Sequence, residues 1–152
     1  MGTIITKNEE ETQQVATNLA KGLKGGEVIL MYGDLGAGKT VFAKALAKAL
    51  GVREVVKSPT FNIMKCYLIP KPHTLNPIPY FCHIDAYRLK NFDELLDIGA
   101  DEYIGQPGVV TVIEWAERVD IKTLKHKNIK TKVIRVEIEH GKKDNERIID
   151  IK

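Results

Sequence analysis

The chain has 152 residues, 43% of them hydrophobic and 28% charged, a composition typical of one globular domain and unlike that of disordered or fibrous proteins. No apolar run approaches the roughly 18 residues that a membrane-spanning helix needs, and the early acidic residues do not fit a secretory signal. The formal net charge of +3 is too small to indicate nucleic-acid binding by itself.

The N-terminal segment has the pattern of a short strand followed by an amphipathic helix. Residues 1–6 predict the strand, and the tetrapeptide at 6–9 has the spacing of a helix capping box. Apolar residues recur at helical intervals across 15–23, and the glycines at 25–26 indicate that the helix ends near them.

A buried strand, a glycine-rich loop and a second helix are predicted next. Residues 28–32 form a continuous apolar run, which is typical of a strand buried on both faces. Residues 41–50 are rich in Ala, Leu and Lys, which favours a helix, and Gly51 predicts its end.

The loop between them matches the phosphate-binding pattern G-x-x-x-x-G-K-[S/T] in full. Its glycines allow the backbone to turn N–H groups toward phosphate oxygens, and the following helix points its positive end at the same anion. Lys39, also a catalytic candidate, is predicted to reach the β- and γ-phosphates, and the Thr40 hydroxyl to bind Mg²⁺. We therefore predict a site for a nucleoside triphosphate with magnesium, formed by Gly33, Asp34, Leu35, Gly36, Ala37, Gly38, Lys39, Thr40 and Val41.

The remaining elements complete an α/β pattern. Residues 69–79 hold four prolines and predict a loop or extended connection, and residues 133–151 predict an antiparallel hairpin at a sheet edge. Strands are also predicted at 61–68, 80–84 and 109–113, and a short helix at 92–98. We expect residues 1–152 to form a single P-loop ATPase domain, with a mixed, mostly parallel sheet flanked by helices and a C-terminal antiparallel hairpin.

Two acidic residues follow predicted strands directly. In an open α/β sheet, ligands bind at the carboxyl ends of the strands, so Asp85 and Glu114 are candidate catalytic and metal-side carboxylates. Either of them could hold the magnesium ion, directly or through water. The segment Ser58-Pro59-Thr60-Phe61 is a third candidate, because a threonine hydroxyl there could meet the metal or the γ-phosphate, although an ordinary turn is an equal alternative.

Cys66 and Cys82 form no C-x-x-C pair, and two cysteines cannot make a disulfide framework. We expect them to be buried structural thiols, which would suit a reducing cytoplasm. Basic residues are frequent between residues 122 and 135, where a solvated face is the main interpretation and a contact with RNA or an acidic partner is the alternative.

Four segments together resemble the TsaE (YjeE-like) family, the ATPase of bacterial tRNA threonylcarbamoyladenosine synthesis. They are the loop at 33–40, the switch-like segment at 58–61, His83-Ile84-Asp85-Ala86-Tyr87-Arg88-Leu89, and Ile113-Glu114-Trp115. The resemblance covers about residues 8–117. It departs from the family pattern at 68–82, where the connection is longer than usual.

The resemblance implies that the nucleotide is ATP, bound with Mg²⁺ through Lys39 and Thr40. It also implies that the protein serves a complex of TsaB and TsaD, meets tRNA only indirectly or weakly, and turns over ATP slowly when alone. Further residues take their roles from the same resemblance: Glu114 as a catalytic, metal-side carboxylate, Asp85 as a Walker-B-type acid, Thr60 in the switch-like loop, and Thr12 close to the nucleotide base. Trp115 and Arg88 are motif residues, and Trp115 is also counted among the nucleotide-binding residues.

Three other functions share the phosphate loop. A small-molecule kinase usually needs an arginine-bearing lid, and no two of the five arginines fall within a lid-length segment. Guanine-specific proteins usually carry N-K-x-D, which does not occur here. A nucleotide-gated binding module with negligible hydrolysis has the same sequence features as an ATPase.

Overall fold

The computed structural model describes residues 2–59, 62–70, 78–120, 122 and 131–152. Within these residues, seven strands form one sheet in the order β1-β7-β6-β2-β5-β4-β3. The strands are β1 Thr3–Thr6, β2 Val28–Tyr32, β3 Met64–Leu68, β4 Tyr80–Asp85, β5 Val109–Glu114, β6 Val133–His140 and β7 Arg147–Ile151. The helices are α1 Glu9–Ala20, α2 Lys39–Leu50 and α3 Asp93–Asp97, with 3₁₀ turns at Ala100–Glu102 and Ala116–Arg118.

The four central strands, β6, β2, β5 and β4, are parallel to one another, and antiparallel strands flank them on both sides. The predicted fold class is therefore confirmed. The C-terminal hairpin of β6 and β7 is also confirmed, but its expected place at the sheet edge is wrong. Strand β6 pairs with β2 in the interior, and β1 covers β7, because the N-terminal strand supplies the outermost ladder.

The helices cover both faces of the sheet, which accounts for the continuous apolar run in β2. Ile29 and Met31 pack against α1 and α2 in one core. Val28 and Leu30 point to the opposite face and pack against the segment from Leu89 to Ile104, which contains α3. Successive side chains of a strand point to opposite faces, so a strand between two helical layers needs apolar residues at every position.

The start of α1 differs from the predicted capping box by two residues. Asn8 is the N-cap, and its side-chain oxygen accepts from the Glu11 backbone N–H at 2.8 Å, while the Glu11 carboxylate accepts from the Lys7 N–H at 2.8 Å. Thr6 instead shares a buried hydrogen bond of 2.8 Å with the Thr12 hydroxyl, which joins β1 to α1. The helix ends at Ala20, earlier than predicted.

Cys66 and Cys82 form a disulfide, so the expectation of two free thiols is wrong. The residues are direct cross-strand partners in the antiparallel β3–β4 ladder, with their Cα atoms 4.0 Å apart. The register of this ladder decides their proximity. Their separation of 16 positions in the chain gives no sign of it.

Parts of three predicted features lie outside the described residues. They are Thr60 and Phe61 of the switch-like segment, residues 71–77 of the proline-rich connection, and 121 and 123–130 of the basic region. Among the helices that the structure does describe, none combines the length and apolarity needed to cross a bilayer.

We predict that the disulfide stabilises the fold by about 3 kcal/mol, because it closes a loop of this length in the unfolded chain. Urea unfolding with and without dithiothreitol should show this difference in the free energy of unfolding. The double variant Cys66→Ala/Cys82→Ala is the control and should not respond to the reductant. Two reactive thiols in the native, unreduced protein would contradict the pairing.

Candidate functional site

The glycine-rich loop connects β2 to α2 at the carboxyl edge of the sheet, where the sequence predicts it. Gly33 has φ 141°, and a Cβ atom there would overlap the Ile138 carbonyl oxygen of β6. Gly38 is the N-cap of α2 with φ 108°, and it has no side chain to accept from the first helical N–H groups. Those N–H groups have no side-chain cap, and uncapped helix N-termini are sites where anions can bind.

Lys39 is nearly buried and is folded back onto its own loop. Its Nζ atom donates to the backbone oxygens of Gly33 at 2.5 Å and Asp34 at 2.9 Å. It also lies 3.8 Å from the ring centroid of Trp115, a cation–π distance. Burial lowers the pKa of the Lys39 ammonium, and the Glu114 carboxylate opposes this shift. The ammonium is thus held close to where phosphates would lie by contacts that phosphate oxygens could replace.

Glu114, the last residue of β5, joins the phosphate loop to the sheet. Its Oε2 atom accepts from the Thr40 hydroxyl at 3.0 Å, and its Oε1 atom lies 2.6 Å from Nε2 of His83 on β4. Only 2% of Glu114 and none of His83 is exposed. The carboxylate is therefore bound at both oxygens, and one of its partners is the residue predicted to bind magnesium.

Asp85, the last residue of β4, pairs directly with Glu114 in the β4–β5 ladder. Its Oδ1 atom accepts from the Tyr87 backbone N–H at 3.0 Å, and its Oδ2 atom accepts from the Ser58 hydroxyl at 3.3 Å. The structure thus brings both predicted acids to one edge and ties the switch-like segment to Asp85 through Ser58. Thr60, the residue of that segment predicted from the resemblance, lies outside the described residues.

The donor set fits Mg²⁺ better than a transition metal. Thr40, Glu114 and Asp85 offer hard oxygen atoms, which magnesium prefers, whereas transition metals favour nitrogen and sulfur ligands. Magnesium in proteins is commonly held by one or two carboxylates, with phosphates and water completing its octahedral shell. These residues could supply such a partial shell.

A cavity of about 200 Å³ lies beside the loop, between α1 and the C-terminal hairpin. Thr12 and Val41, both predicted to belong to the site, line it together with Asn8, Asn145 and Arg147. A larger cavity of about 680 Å³ contains none of the residues of the phosphate loop and borders the basic region near Arg135. We place the candidate site at the smaller cavity, because Gly36, Ala37 and Gly38 of the loop line it.

Arg147 on β7 is a site residue that the sequence interpretation missed. Its Nε atom donates to the Ala37 carbonyl at 2.9 Å, and an Nη atom lies 3.4 Å from the Gly36 carbonyl. It therefore braces the phosphate loop from 110 positions away in the chain. The C-terminal segment carries no motif that could have indicated this contact.

Trp115 has a left-handed backbone, with φ 57°, and its ring lies 4.9 Å from that of Tyr87. This conformation turns the chain just after Glu114 and places the indole beneath the Lys39 ammonium. Trp115 therefore contacts Lys39 of the phosphate loop, whereas the motif residue Arg88 is exposed.

Comparison with known proteins identifies one family. Residues 6–149 match the family model described as "Threonylcarbamoyl adenosine biosynthesis protein TsaE". The tRNA threonylcarbamoyladenosine biosynthesis protein TsaE of Bacillus subtilis is 42% identical over 115 residues, which cover 76% of this chain and 66% of the relative. The protein of that name from Aquifex aeolicus is 44% identical over 117 residues, which cover 76% of this chain and 77% of the relative.

A solved structure gives the same fold. The crystal structure of YdiB from Bacillus subtilis superposes with a TM-score of 0.68 at 31% sequence identity, and the match covers 98% of this chain and 82% of that one. The aligned part of this chain thus spans about two thirds of the Bacillus subtilis relative and most of the solved chain.

We predict that Arg147→Ala weakens nucleoside triphosphate binding about tenfold, because hydrogen bonds from a charged donor to the loop carbonyls are lost. Titration calorimetry would measure the dissociation constant. Arg135→Ala is the matched control, since Arg135 lies on the same hairpin but packs over the Tyr32 ring. An unchanged affinity in Arg147→Ala, or an equal loss in both variants, would contradict the bracing role.

Proposed function

The chain belongs to the TsaE family, and on that premise we propose that it binds ATP with magnesium and hydrolyses the nucleotide in support of threonylcarbamoyladenosine modification of tRNA. The observation that carries this proposal is the hydrogen bond between Thr40 of the phosphate loop and Glu114 of β5, at 3.0 Å. It joins a phosphate cradle to a carboxylate at the carboxyl edge of a parallel sheet, where phosphoryl-transfer sites are built.

The roles of the residues follow from their present contacts. The N–H groups of the loop and of the first turn of α2 would bind the phosphate oxygens. Lys39 would exchange the Gly33 and Asp34 carbonyls for the β- and γ-phosphates, which carry full negative charge. Magnesium, when bound, would neutralise charge on the phosphates and orient them.

Glu114 and Asp85 supply the carboxylates that phosphoryl transfer to water needs. Glu114 would bind magnesium through Oε2, the oxygen that contacts Thr40. Asp85, less buried and tied to Ser58, would help to place the attacking water or a metal-bound water. Both acids end adjacent strands, so one nucleotide could lie within reach of both.

We further propose that turnover is slow in the isolated chain and rises when TsaB and TsaD bind. Leu35, at the tip of the phosphate loop, is 80% exposed, and Tyr87 beside the site is 49% exposed. These two exposed side chains are available to contact a partner that covers the site. Covering the site would exclude bulk water and strengthen the electrostatic interactions within it.

The first test is nucleotide choice. Calorimetry should give tighter binding of ATP than of GTP in the presence of magnesium, because the family relation implies ATP and the chain lacks N-K-x-D. Equal or tighter binding of GTP would reject ATP as the nucleotide.

The second test concerns hydrolysis. We expect Glu114→Gln to lower kcat by about 100-fold or more in the presence of TsaB and TsaD, because a carboxylate that positions water or metal is lost. The matched control is Glu102→Gln, an exposed acid in the 3₁₀ turn beyond α3. Phosphate release is the measurement, made with and without the partners. Full activity in Glu114→Gln would show that the catalytic carboxylate lies elsewhere. If the wild type binds ATP but shows no turnover under any condition, the ATPase proposal is rejected in favour of a nucleotide-gated binding module.

A further inference from the structure

His83 lies inside the sheet layer with no exposed surface, at the third-from-last position of β4. Its Nε2 atom is 2.6 Å from Glu114 Oε1, and the other oxygen of that carboxylate is 3.0 Å from the Thr40 hydroxyl. Glu114 is thus held between a loop residue and a core residue. In the sequence, His83 is the first residue of the motif at 83–89 that resembles the TsaE family, and the function proposed above assigns it no role.

The hydrogen-bonding pattern indicates what the imidazole does. An ionised carboxylate only accepts hydrogen bonds, so the hydrogen between the two side chains belongs to Nε2 of His83. The opposite nitrogen, Nδ1, is buried and has no hydrogen-bond partner within the described residues. The one hydrogen bond of the His83 side chain is therefore the one to Glu114, so the ring contributes to the site through Nε2.

The surroundings make this contact strong and directional. The His83 ring neighbours Phe81 on the same face of β4, and Val112 is its partner on β5. Water cannot replace the imidazole at this depth, and the apolar environment strengthens a hydrogen bond to a charged oxygen. The glutamate side chain has three rotatable bonds, so without this contact its buried Oε1 would be unsatisfied and the carboxylate would turn away.

We propose that His83 is a positioning residue: it fixes the plane of the Glu114 carboxylate so that Oε2 faces Thr40, the residue with which it would hold magnesium. This inference rests on the proposed function, since it assumes that Thr40 and Glu114 hold the metal. Residues that orient metal-side carboxylates commonly change metal affinity or activity by about 10- to 100-fold when they are replaced.

The experiment compares two replacements of His83 in the full chain. His83→Leu removes the donor, whereas the amide nitrogen of His83→Gln lies at the position of Nε2 and can still donate to Glu114. We expect His83→Leu to raise the magnesium concentration for half-maximal effect on ATP affinity by about tenfold or more, and His83→Gln to stay close to the wild type. ATP affinity measured in EDTA should be the same in all three proteins, because the phosphate loop is not altered.

A second pair of variants keeps the test decisive if His83→Leu does not fold. The amide of Asn is too short to reach Glu114, so His83→Asn should show the raised magnesium requirement that His83→Gln does not. The control is His140→Gln, at the exposed end of β6. Equal magnesium dependence in the wild type and the donor-deficient variants would overturn the positioning role. Equal impairment of the Gln and Asn variants would assign His83 to packing alone.

The outcome separates this inference from the proposed function. If the wild type binds ATP with a clear magnesium dependence but never hydrolyses it, hydrolysis is rejected while the His83 comparison still stands. If hydrolysis occurs and the magnesium dependence is the same in all variants, the ATPase proposal stands and the role of His83 is rejected.

Discussion

The parallel pairing of β2 with β5 is the constraint on which the candidate site depends. In this ladder Met31, two residues before Gly33, lies opposite Glu114. Parallel strands end at the same edge, so the phosphate loop leaves β2 beside the carboxylate. Thr40, at the end of the loop, is thereby brought within hydrogen-bonding distance of Glu114 across 74 positions of the chain. Burial on both faces of the sheet maintains this register. If β2 slipped by one residue against β5, its side chains would point to the opposite face and the packing of both cores would be lost.

The same edge concentrates charge that the fold must satisfy internally. Lys39 is only 4% exposed, and it is held by two loop carbonyls and the Trp115 ring. Glu114 is held by Thr40 and His83. Both of these buried charges thus have partners within the protein, which limits the cost of burying them. The lysine donates to loop backbone, whereas the glutamate contact to His83 is anchored in the sheet.

Elements distant in the chain support this edge from both sides. Strand β4 pairs with β3 and is linked to it by the disulfide between Cys66 and Cys82. His83 and Asp85 lie near the carboxyl end of β4. On the other side, β7 places Arg147 against the carbonyls of the phosphate loop. Among the antiparallel strands that flank the parallel core, β7 therefore contributes a side chain to the site, and β3 supports the site through its pairing with β4.

The sequence by itself determined the local features: the phosphate loop, the strand and helix around it, the strand-end positions of Asp85 and Glu114, and the family. These features depend on backbone conformation and on side-chain periodicity over a few residues, so they can be predicted from residues that are close together in the sequence. Only the tertiary structure decided that the two cysteines are bonded, that β1 closes the hairpin edge, that Arg147 braces the loop and that His83 holds Glu114. Each of these contacts joins segments whose register is set by the whole sheet, and long-range register leaves no mark in a local sequence pattern.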